Sequence, residues 1–251
     1  MSNIIEVKNL TKKYGDFTAV SNISFEVGEN EIFGILGPNG AGKTTTLEMI
    51  EGLKRPTSGS IMLDGLDVEK ETNAVKARIG VQLQASNFFE SLSLVELIET
   101  FGAMYDRKVD AMKLLEEVQL TDKAKAQAKE LSGGQRQRLS IAIGLVNDPR
   151  VLFLDEPTTG LDPQARRNLW DLIQQIKAKG KTVVLTTHYM DEAEVLCDRV
   201  AIMDTGKIIA LDTPRVLITQ LLDTGFKKEV IQQQANLEDV FLQFTGHALR
   251  E

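Results

Sequence analysis

Eight consecutive residues, Gly37–Thr44, match the pattern G-x-x-x-x-G-K-[ST] between an apolar run and a helical pattern. Small residues let backbone N–H groups curve around phosphates, and the positive end of the following helix attracts the anion. The Lys43 ammonium suits the β- and γ-phosphates of a nucleotide, and the Thr44 hydroxyl suits Mg²⁺. The predicted nucleotide contacts are Gly37, Pro38, Asn39, Gly40, Ala41, Gly42, Lys43, Thr44 and Thr45.

Two adjacent acids, Asp155 and Glu156, come directly after the apolar run Val151–Leu154. Ligands of open α/β sheets bind at the carboxyl ends of the strands, so both acids are expected at a binding site. Adjacent acids in a loop are usually only solvated, but the apolar run before them favours a functional role. We expect Asp155 to hold Mg²⁺, directly or through water, and Glu156 to act as a general base on an attacking water.

A second helix start with anion-binding character lies at Ser132–Gln135, which reads Ser-Gly-Gly-Gln. Free N–H groups and the helix dipole make such a terminus attractive to phosphate, although Ser-Gly-Gly is also a common turn. The predicted contacts are Ser132, Gly133, Gly134 and Gln135. The two helix starts are 132 − 43 = 89 residues apart. Because one nucleotide has one terminal phosphate, the second site needs a partner.

Apolar runs and helical periodicity define the elements that must position these motifs. Val151–Leu154 and Thr182–Leu185 are continuous apolar runs, typical of parallel strands covered on both faces. Asp162 followed by proline predicts a helix start, and Gly180 lies just past the end of its apolar repeat. The N-terminal part has β-rich runs at Ile4–Val7, Ala19–Val27 and Glu31–Leu36. Helical patterns dominate from about residue 85 to residue 130.

The chain's size and composition exclude several classes of protein. Its 251 residues, 42% hydrophobic and 26% charged, are those of an ordinary globular protein. The longest nearly apolar stretch, Leu139–Val146, is far shorter than the roughly 20 residues that cross a bilayer. The net charge of −7 argues against coating nucleic acid, so no nucleic-acid partner is expected. The absence of a secretory signal, together with a single cysteine, Cys197, predicts a cytoplasmic location.

Taken together, the motifs resemble the nucleotide-binding domain of ATP-binding cassette (ABC) transporters over about residues 4–215. The pentapeptide Leu-Ser-Gly-Gly-Gln at residues 131–135 distinguishes that family from other phosphate-loop proteins. Residues 186–194 and 236–246 are similar to the bacterial exporter branch, ABC-2, whose membrane subunit is a separate chain. The motifs that match in order and spacing are the phosphate loop, Leu131–Gln135, Asp155-Glu156, Gly160–Asp162 and Thr186–His188.

The resemblance implies roles for four further residues. Tyr14 stands where an aromatic ring stacks on adenine, although it could also be a strand-edge tyrosine. Gln84 resembles the glutamine that touches Mg²⁺ and the attacking water and senses the membrane subunit; Gln82 is an alternative register. His188 would donate a hydrogen bond to the γ-phosphate. Asp162 would cross a dimer interface, and its helix-capping role is compatible with this.

The resemblance also implies the partners. Two cassettes dimerise head to tail in this family, so that Ser132–Gln135 of one copy close over ATP held by the other. A second ABC ATPase subunit, in a homodimer, and a separately encoded transmembrane permease are therefore expected. Phe88, Phe89 and Leu92 are candidates for a cleft that receives a loop of the permease, with packing inside the lobe as the equal alternative.

The predicted fold class is α/β: a phosphate-loop NTPase core with an N-terminal antiparallel β subdomain and a helical lobe inserted at about residues 85–147. The predicted domains are an ABC ATPase domain at residues 1–215 and a helical tail at 216–251. The implied function is ATP hydrolysis that powers export, at the inner face of the cell membrane, with ATP and Mg²⁺ bound. The alternative is a soluble ABC ATPase without a membrane partner, for example in iron–sulfur cluster assembly.

Overall fold

Ten strands form two sheets in the part of the chain that the structure, a computed structural model, describes: residues 2–82, 88–89 and 91–227. The first five strands are β1 (Asn3–Tyr14), β2 (Phe17–Gly28), β3 (Ile32–Leu36), β4 (Ser58–Leu63) and β5 (Leu66–Asp67). The others are β6 (Ile79–Val81), β7 (Val151–Asp155), β8 (Thr182–Thr187), β9 (Arg199–Asp204) and β10 (Lys207–Asp212).

The larger sheet has six strands in the order β10-β9-β3-β8-β7-β6. Strands β9, β3, β8, β7 and β6 run parallel, and β10 closes the edge as an antiparallel neighbour of β9. The smaller sheet is antiparallel in the order β2-β1-β4-β5. This arrangement brings the carboxyl ends of β3, β7 and β8 to one edge of the parallel sheet, where the predicted site residues follow them.

Eight α-helices lie in the described ranges: α1 (Lys43–Ile50), α2 (Thr72–Lys76), α3 (Leu94–Met104), α4 (Ala111–Glu117), α5 (Gly133–Leu145), α6 (Pro163–Ala178), α7 (Met190–Leu196) and α8 (Pro214–Asp223). Side-chain caps begin most of the longer ones. Ser93 accepts from the Glu96 backbone N–H, and the Glu96 carboxyl accepts from the Ser93 N–H in return. Asp162 Oδ1 accepts from the Ala165 N–H at 2.8 Å, as predicted for the start of α6.

Alternating side chains of the parallel sheet belong to two hydrophobic cores, one on each face of the sheet. Leu152 and Leu154 pack on one face, with buried residues of helices α3 to α7. Val151 and Phe153 pack on the opposite face, against α1 and the antiparallel sheet. Strands covered on both sides explain the continuous apolar runs of the sequence. The helical lobe is thereby anchored to the same sheet that carries the phosphate loop.

Strand β1 was predicted too short, as Ile4–Val7, whereas it continues to Tyr14. The pairing of β1 with β2 shifts register between Val7 and Leu10, and Asn9 stands at φ 51°. An irregularity of this kind breaks the inside-outside alternation on which the prediction rested. The correction matters because the longer strand places Tyr14 beside the phosphate loop.

The chain divides into two compact units, Met1–Leu217 and Ile218–Glu251, and the second is described only to residue 227. The amphipathic segment predicted at Leu237–Phe244 lies outside the described residues. None of the helices in the described ranges combines the length and the apolar character that crossing a membrane would need. The predicted boundary between domain and tail at residue 215 remains a prediction.

Candidate functional site

The phosphate loop wraps around the side chain of Lys43, which is 4% exposed. Its Nζ donates to the carbonyl oxygens of Gly37 at 2.9 Å and Pro38 at 3.2 Å. Gly42 precedes helix α1 at φ 100°, and a Cβ there would lie 2.5 Å from the Ala19 carbonyl oxygen. Only glycine fits that position, because both the backbone angle and the close approach exclude a side chain. The loop lines a cleft of about 260 Å³.

Lys43, Glu156 and His188 form a continuous chain of polar contacts at this cleft. Lys43 Nζ lies 3.2 Å from Glu156 Oε1, and His188 Nδ1 lies 3.1 Å from Glu156 Oε2. The side chains of Glu156 and His188 are 20% and 30% exposed. Three residues from separate parts of the sequence therefore converge, and the predicted general base is paired with the phosphate-loop lysine.

Glu156 is held in a strained backbone conformation, at φ 47°. Its backbone N–H donates to the Thr186 hydroxyl at 3.0 Å, and the Thr159 hydroxyl donates to its carboxylate at 3.3 Å. Burial acts to raise the pKa of Glu156, but Lys43 and His188 outweigh burial and bring that pKa below its ordinary value. Glu156 is therefore a fixed, ionised carboxylate at the mouth of the cleft.

Asp155 lies one residue earlier, at the end of β7, and faces helix α1. The Thr44 hydroxyl donates to Asp155 Oδ1 at 3.2 Å, and the Thr186 hydroxyl donates to the same oxygen. Burial raises the pKa of Asp155, although both hydroxyls act in the opposite direction. Thr186 was not predicted as a site residue. It stands at the end of β8, and threonines at the carboxyl end of a core strand are the signal that could have revealed it.

Two aromatic side chains border the outer part of the cleft. Tyr14 is 44% exposed, and Phe17 is 63% exposed. The Nζ atoms of Lys12 and Lys54 lie 5.1 Å and 5.8 Å from the centre of the Tyr14 ring. The predicted stacking residue is therefore an accessible ring beside the phosphate loop. Phe17, which was not predicted as a site residue, lines the same cleft.

The second predicted phosphate site lies in a separate pocket of about 240 Å³. Ser132 caps helix α5 by accepting from the Gln135 N–H at 3.3 Å, and Gln135 Oε1 accepts from the Ser132 N–H at 3.0 Å. Gly134 and Asp162 line this pocket as well. The structure therefore brings the motif at residues 132–135 and Asp162 together, and it does not place them in the cleft that the phosphate loop lines.

The predicted sensor Gln84 lies outside the described residues. Gln82, the alternative register, is 3% exposed, and its backbone N–H donates to the Phe153 carbonyl at 2.9 Å. Among the candidates for a permease cleft, Phe88 and Leu92 pack against the core, whereas Phe89 is 52% exposed. The packing alternative therefore applies to Phe88 and Leu92, and a contact of Phe89 with a permease stays a prediction.

A further acid, Glu51, is buried where helix α1 ends, with 3% exposure. It lines a cleft of about 210 Å³ between α1, strand β6 and helices α3 and α5. Burial, and then the charges of Asp155 and Glu48, raise the pKa of Glu51 to about 8. The carboxyl is therefore mostly protonated at neutral pH.

Replacing Glu51 by glutamine is expected to stabilise the protein increasingly as the pH rises. The folded state favours the protonated acid, so below the ordinary pKa of 4.5 the Glu51 carboxyl does not destabilise the native chain. Between that pH and about pH 8 the free energy of unfolding of the native chain falls because of Glu51, and above about pH 8 this loss is constant. The loss cannot grow by more than about 1.4 kcal/mol per pH unit. Urea unfolding of Glu51→Gln and of the native chain at pH 5, 6.5 and 8 measures it. The exposed Glu69→Gln is the control, and an equal stability difference at all three pH values would contradict the assignment.

This fold and site define a class of protein. A mostly parallel sheet presents a phosphate loop after β3 and a carboxylate pair at the end of β7, the arrangement of a phosphate-loop nucleoside triphosphatase. A family model described as ABC transporter matches residues 20–159. The chain belongs to the ABC transporter family, and it is an ATP-hydrolysing cassette.

Named relatives match most of the chain. The Nod factor export ATP-binding protein I of Cupriavidus metallidurans is 44% identical, over 87% of this chain and 74% of its own length. The protein of the same name from Burkholderia lata is 42% identical, over 97% of this chain and 82% of its own. Each match therefore covers most of this chain and not only the phosphate loop.

Solved cassettes share the fold. A Clostridium perfringens protein, described as part of an ABC transporter complex, has a TM-score of 0.80 and 29% identity over 88% of this chain and 92% of its own. A cassette in a dimeric post-hydrolysis state, bound to ADP and Pi, has a TM-score of 0.74 and 28% identity over 83% of this chain and 98% of its own. The predicted α/β fold class is confirmed.

Proposed function

We propose that this chain is the ATP-hydrolysing subunit of an exporter, that it works as a dimer, and that it drives a separately encoded membrane permease. The observation that carries the catalytic part is the chain of contacts from Lys43 through Glu156 to His188. The export part is supported by relatives named for export, which match 85% or more of this chain. The substrate would be selected by the membrane subunit.

ATP binding would rearrange the contacts of Lys43. The β- and γ-phosphates compete with Glu156 for the Lys43 ammonium, which is now 3.2 Å from the carboxylate. Once freed, Glu156 can accept a hydrogen bond from the attacking water. The water oxygen bonds to the γ-phosphorus while the bond from that phosphorus to the oxygen of ADP breaks, and Glu156 assists removal of the water proton. His188 lies close enough to Glu156 to contact the same γ-phosphate.

The side-chain oxygen atoms of Thr44 on α1 and Asp155 at the end of β7 fit a bound Mg²⁺. Thr44 and Asp155 already share a hydrogen bond of 3.2 Å, and Mg²⁺ prefers hard oxygen ligands with few protein carboxylates and several phosphate oxygens. Thr44 and Asp155, with Gln84 from outside the described residues, would hold the ion. When bound, it neutralises charge on the phosphates.

A second copy would complete the ATP site. Ser132 and Gly134 line their own pocket with Asp162, apart from the phosphate-loop cleft of the same chain. A free helix N-terminus attracts phosphate, so these residues would close over ATP held by the partner copy. The dimeric state of a structurally similar cassette bound to ADP and Pi supports this assembly. ATP would join the copies, and loss of its γ-phosphate would let them separate.

The cleft beside Glu51 is the favoured contact for the permease. Its walls come from the parallel sheet and the helical lobe, so relative movement of the two would change its shape. Leu53 and Tyr105 on its rim are 59% and 45% exposed, and apolar side chains left open on a surface mark interaction sites. This contact would place the chain at the cytoplasmic face of the membrane.

Co-purification tests the export part of the proposal. The tagged chain is recovered from detergent-solubilised membranes of its own cell, and the bound proteins are identified by mass spectrometry. A multi-span membrane protein at a fixed ratio, lost in a Leu53→Asp and Tyr105→Asp double variant, is the expected result. Recovery only in the soluble fraction, with a soluble partner, would instead support the ABC ATPases that have no membrane subunit.

A further inference from the structure

Helices α6 and α7 are joined by a group of polar and aromatic contacts outside the ATP site. Arg166 and Trp170 stand one turn apart on α6. The Arg166 Nη1 lies 3.2 Å from Asp191 Oδ2, and its guanidinium carbon lies 4.5 Å from the centre of the Tyr189 ring. A planar guanidinium can make both contacts at once, whereas a lysine ammonium cannot present a flat face to a ring.

The contact between Trp170 on α6 and Glu192 on α7 is partly buried. Trp170 Nε1 donates to Glu192 Oε1 at 3.1 Å, and Glu192 is fully buried. In the part of the chain that the structure describes, Glu192 Oε2 and Arg166 Nε are buried without a hydrogen-bond partner. Trp170 and Glu192 therefore join helix α6 to helix α7 inside the fold.

The contacts of Arg166 and Trp170 hold the segment that follows His188, residues 189–192. Tyr189 is the next residue, and the centres of the two rings are 4.1 Å apart. His188 in turn contacts Glu156 at 3.1 Å. Asp162, the residue that caps the start of helix α6, lines the pocket with Ser132. Arg166 thus links helix α6 to Tyr189, and Tyr189 contacts His188, the residue beside Glu156.

We propose that Arg166 and Trp170 are positioning residues for His188. They fix Tyr189 and Glu192, and through the Tyr189 ring, which is tilted by 39° against the His188 ring, they fix the orientation of the His188 imidazole towards Glu156 and the γ-phosphate. The inference rests on the proposed function, because it requires His188 to act in ATP hydrolysis. Catalytic geometry that is misplaced by as little as about 1 Å can cost up to about a hundredfold in rate.

Steady-state ATPase assays on the full chain test the role of Arg166. Arg166→Ala is expected to lower kcat about tenfold while KM for ATP changes less than about threefold, because the phosphate loop is untouched. Arg166→Lys should recover part of the loss, since it keeps a positive charge for Asp191 but has no planar group that contacts Asp191 and the Tyr189 ring at once. Arg167→Ala, at the next and exposed position, is the matched control and should keep the native kcat.

A double-mutant cycle separates positioning from a general loss of structure. In a His188→Ala background, Arg166→Ala should change kcat by less than about twofold, because the group it positions is gone. An equal tenfold loss in both backgrounds would overturn the inference. Should Arg166→Ala fail to fold, Trp170→Phe keeps most of the ring volume and enters the same cycle. If His188→Ala alone keeps the native kcat, the role of His188 in the proposed function fails, and the inference fails with it.

Discussion

Glu156→Gln is expected to lose ATP turnover by at least about a hundredfold while still binding ATP. The change preserves the shape of the side chain and removes the charge that accepts a proton from water. Lys43 also loses its carboxylate partner, now 3.2 Å away, so the phosphates meet less competition and ATP affinity should stay equal or rise. Phosphate release under saturating ATP measures turnover, and a fluorescent ATP analogue measures binding.

The matched control is Glu194→Gln, which removes an exposed carboxylate on helix α7 and leaves the cleft unchanged. Its turnover should equal that of the native chain. Full turnover in Glu156→Gln would show that another group orients the water, and loss of ATP binding would show that Glu156 is needed to shape the site. Either result would remove Glu156 from its assigned role.

Lys43→Ala should have the second large effect, a loss of ATP affinity of at least about a hundredfold. The ammonium is 4% exposed and is held by the Gly37 and Pro38 carbonyl oxygens, so it is fixed where the phosphates would lie. Charged groups preorganised in a dry site contribute several times more than the same groups in water. Titration calorimetry with ATP measures the loss.

The same substitution also removes the cation that faces Glu156. The pKa of Glu156 should then rise, because Lys43 is the strongest of the groups that lower it. Lys8→Ala, at an exposed position in β1, is the control and should bind ATP normally. Native affinity in Lys43→Ala, with the fold confirmed by circular dichroism, would contradict the phosphate-loop assignment.

The sequence predicted the parts of the fold that depend on local patterns. Strands β7 and β8 are covered on both faces, so their apolar runs were unambiguous. Helix α6 carries both a proline after its cap and a regular apolar stripe, and its start was predicted to the residue. Each of these elements is specified by neighbours in the chain, and tertiary contacts reinforce the same choice.

The N-terminal and C-terminal strands were harder to predict for physical reasons. The irregularity in β1 near Asn9 breaks the period of two, as described above. Strands β9 and β10 form a hairpin through Thr205 and Gly206, which stand at φ 45° and 78°. Hairpins of this kind usually use asparagine or aspartate before glycine, and a threonine in that position gives a weak signal.

The sequence predicted which of these residues lie near one another, and it did not predict the contacts between them. The phosphate loop, the acids at the end of β7 and His188 all lie at one edge of the sheet, as their places in the sequence implied. The pairing of Lys43 with Glu156, and the bond from Thr186 to Asp155, depend on side chains from three different strand ends. Such pairings follow from the order of strands in the sheet, which no local pattern specifies.

Sedimentation velocity of Glu156→Gln tests most directly whether ATP joins two copies through the phosphate loop and the motif at residues 132–135. With saturating ATP and Mg²⁺, sedimentation should give a mass of about twice that of one chain. With ADP it should give the mass of one chain. Ser132→Glu in the same background, which puts a negative charge where the phosphate would lie, should stay a monomer. A monomer with ATP demonstrably bound would contradict a shared site.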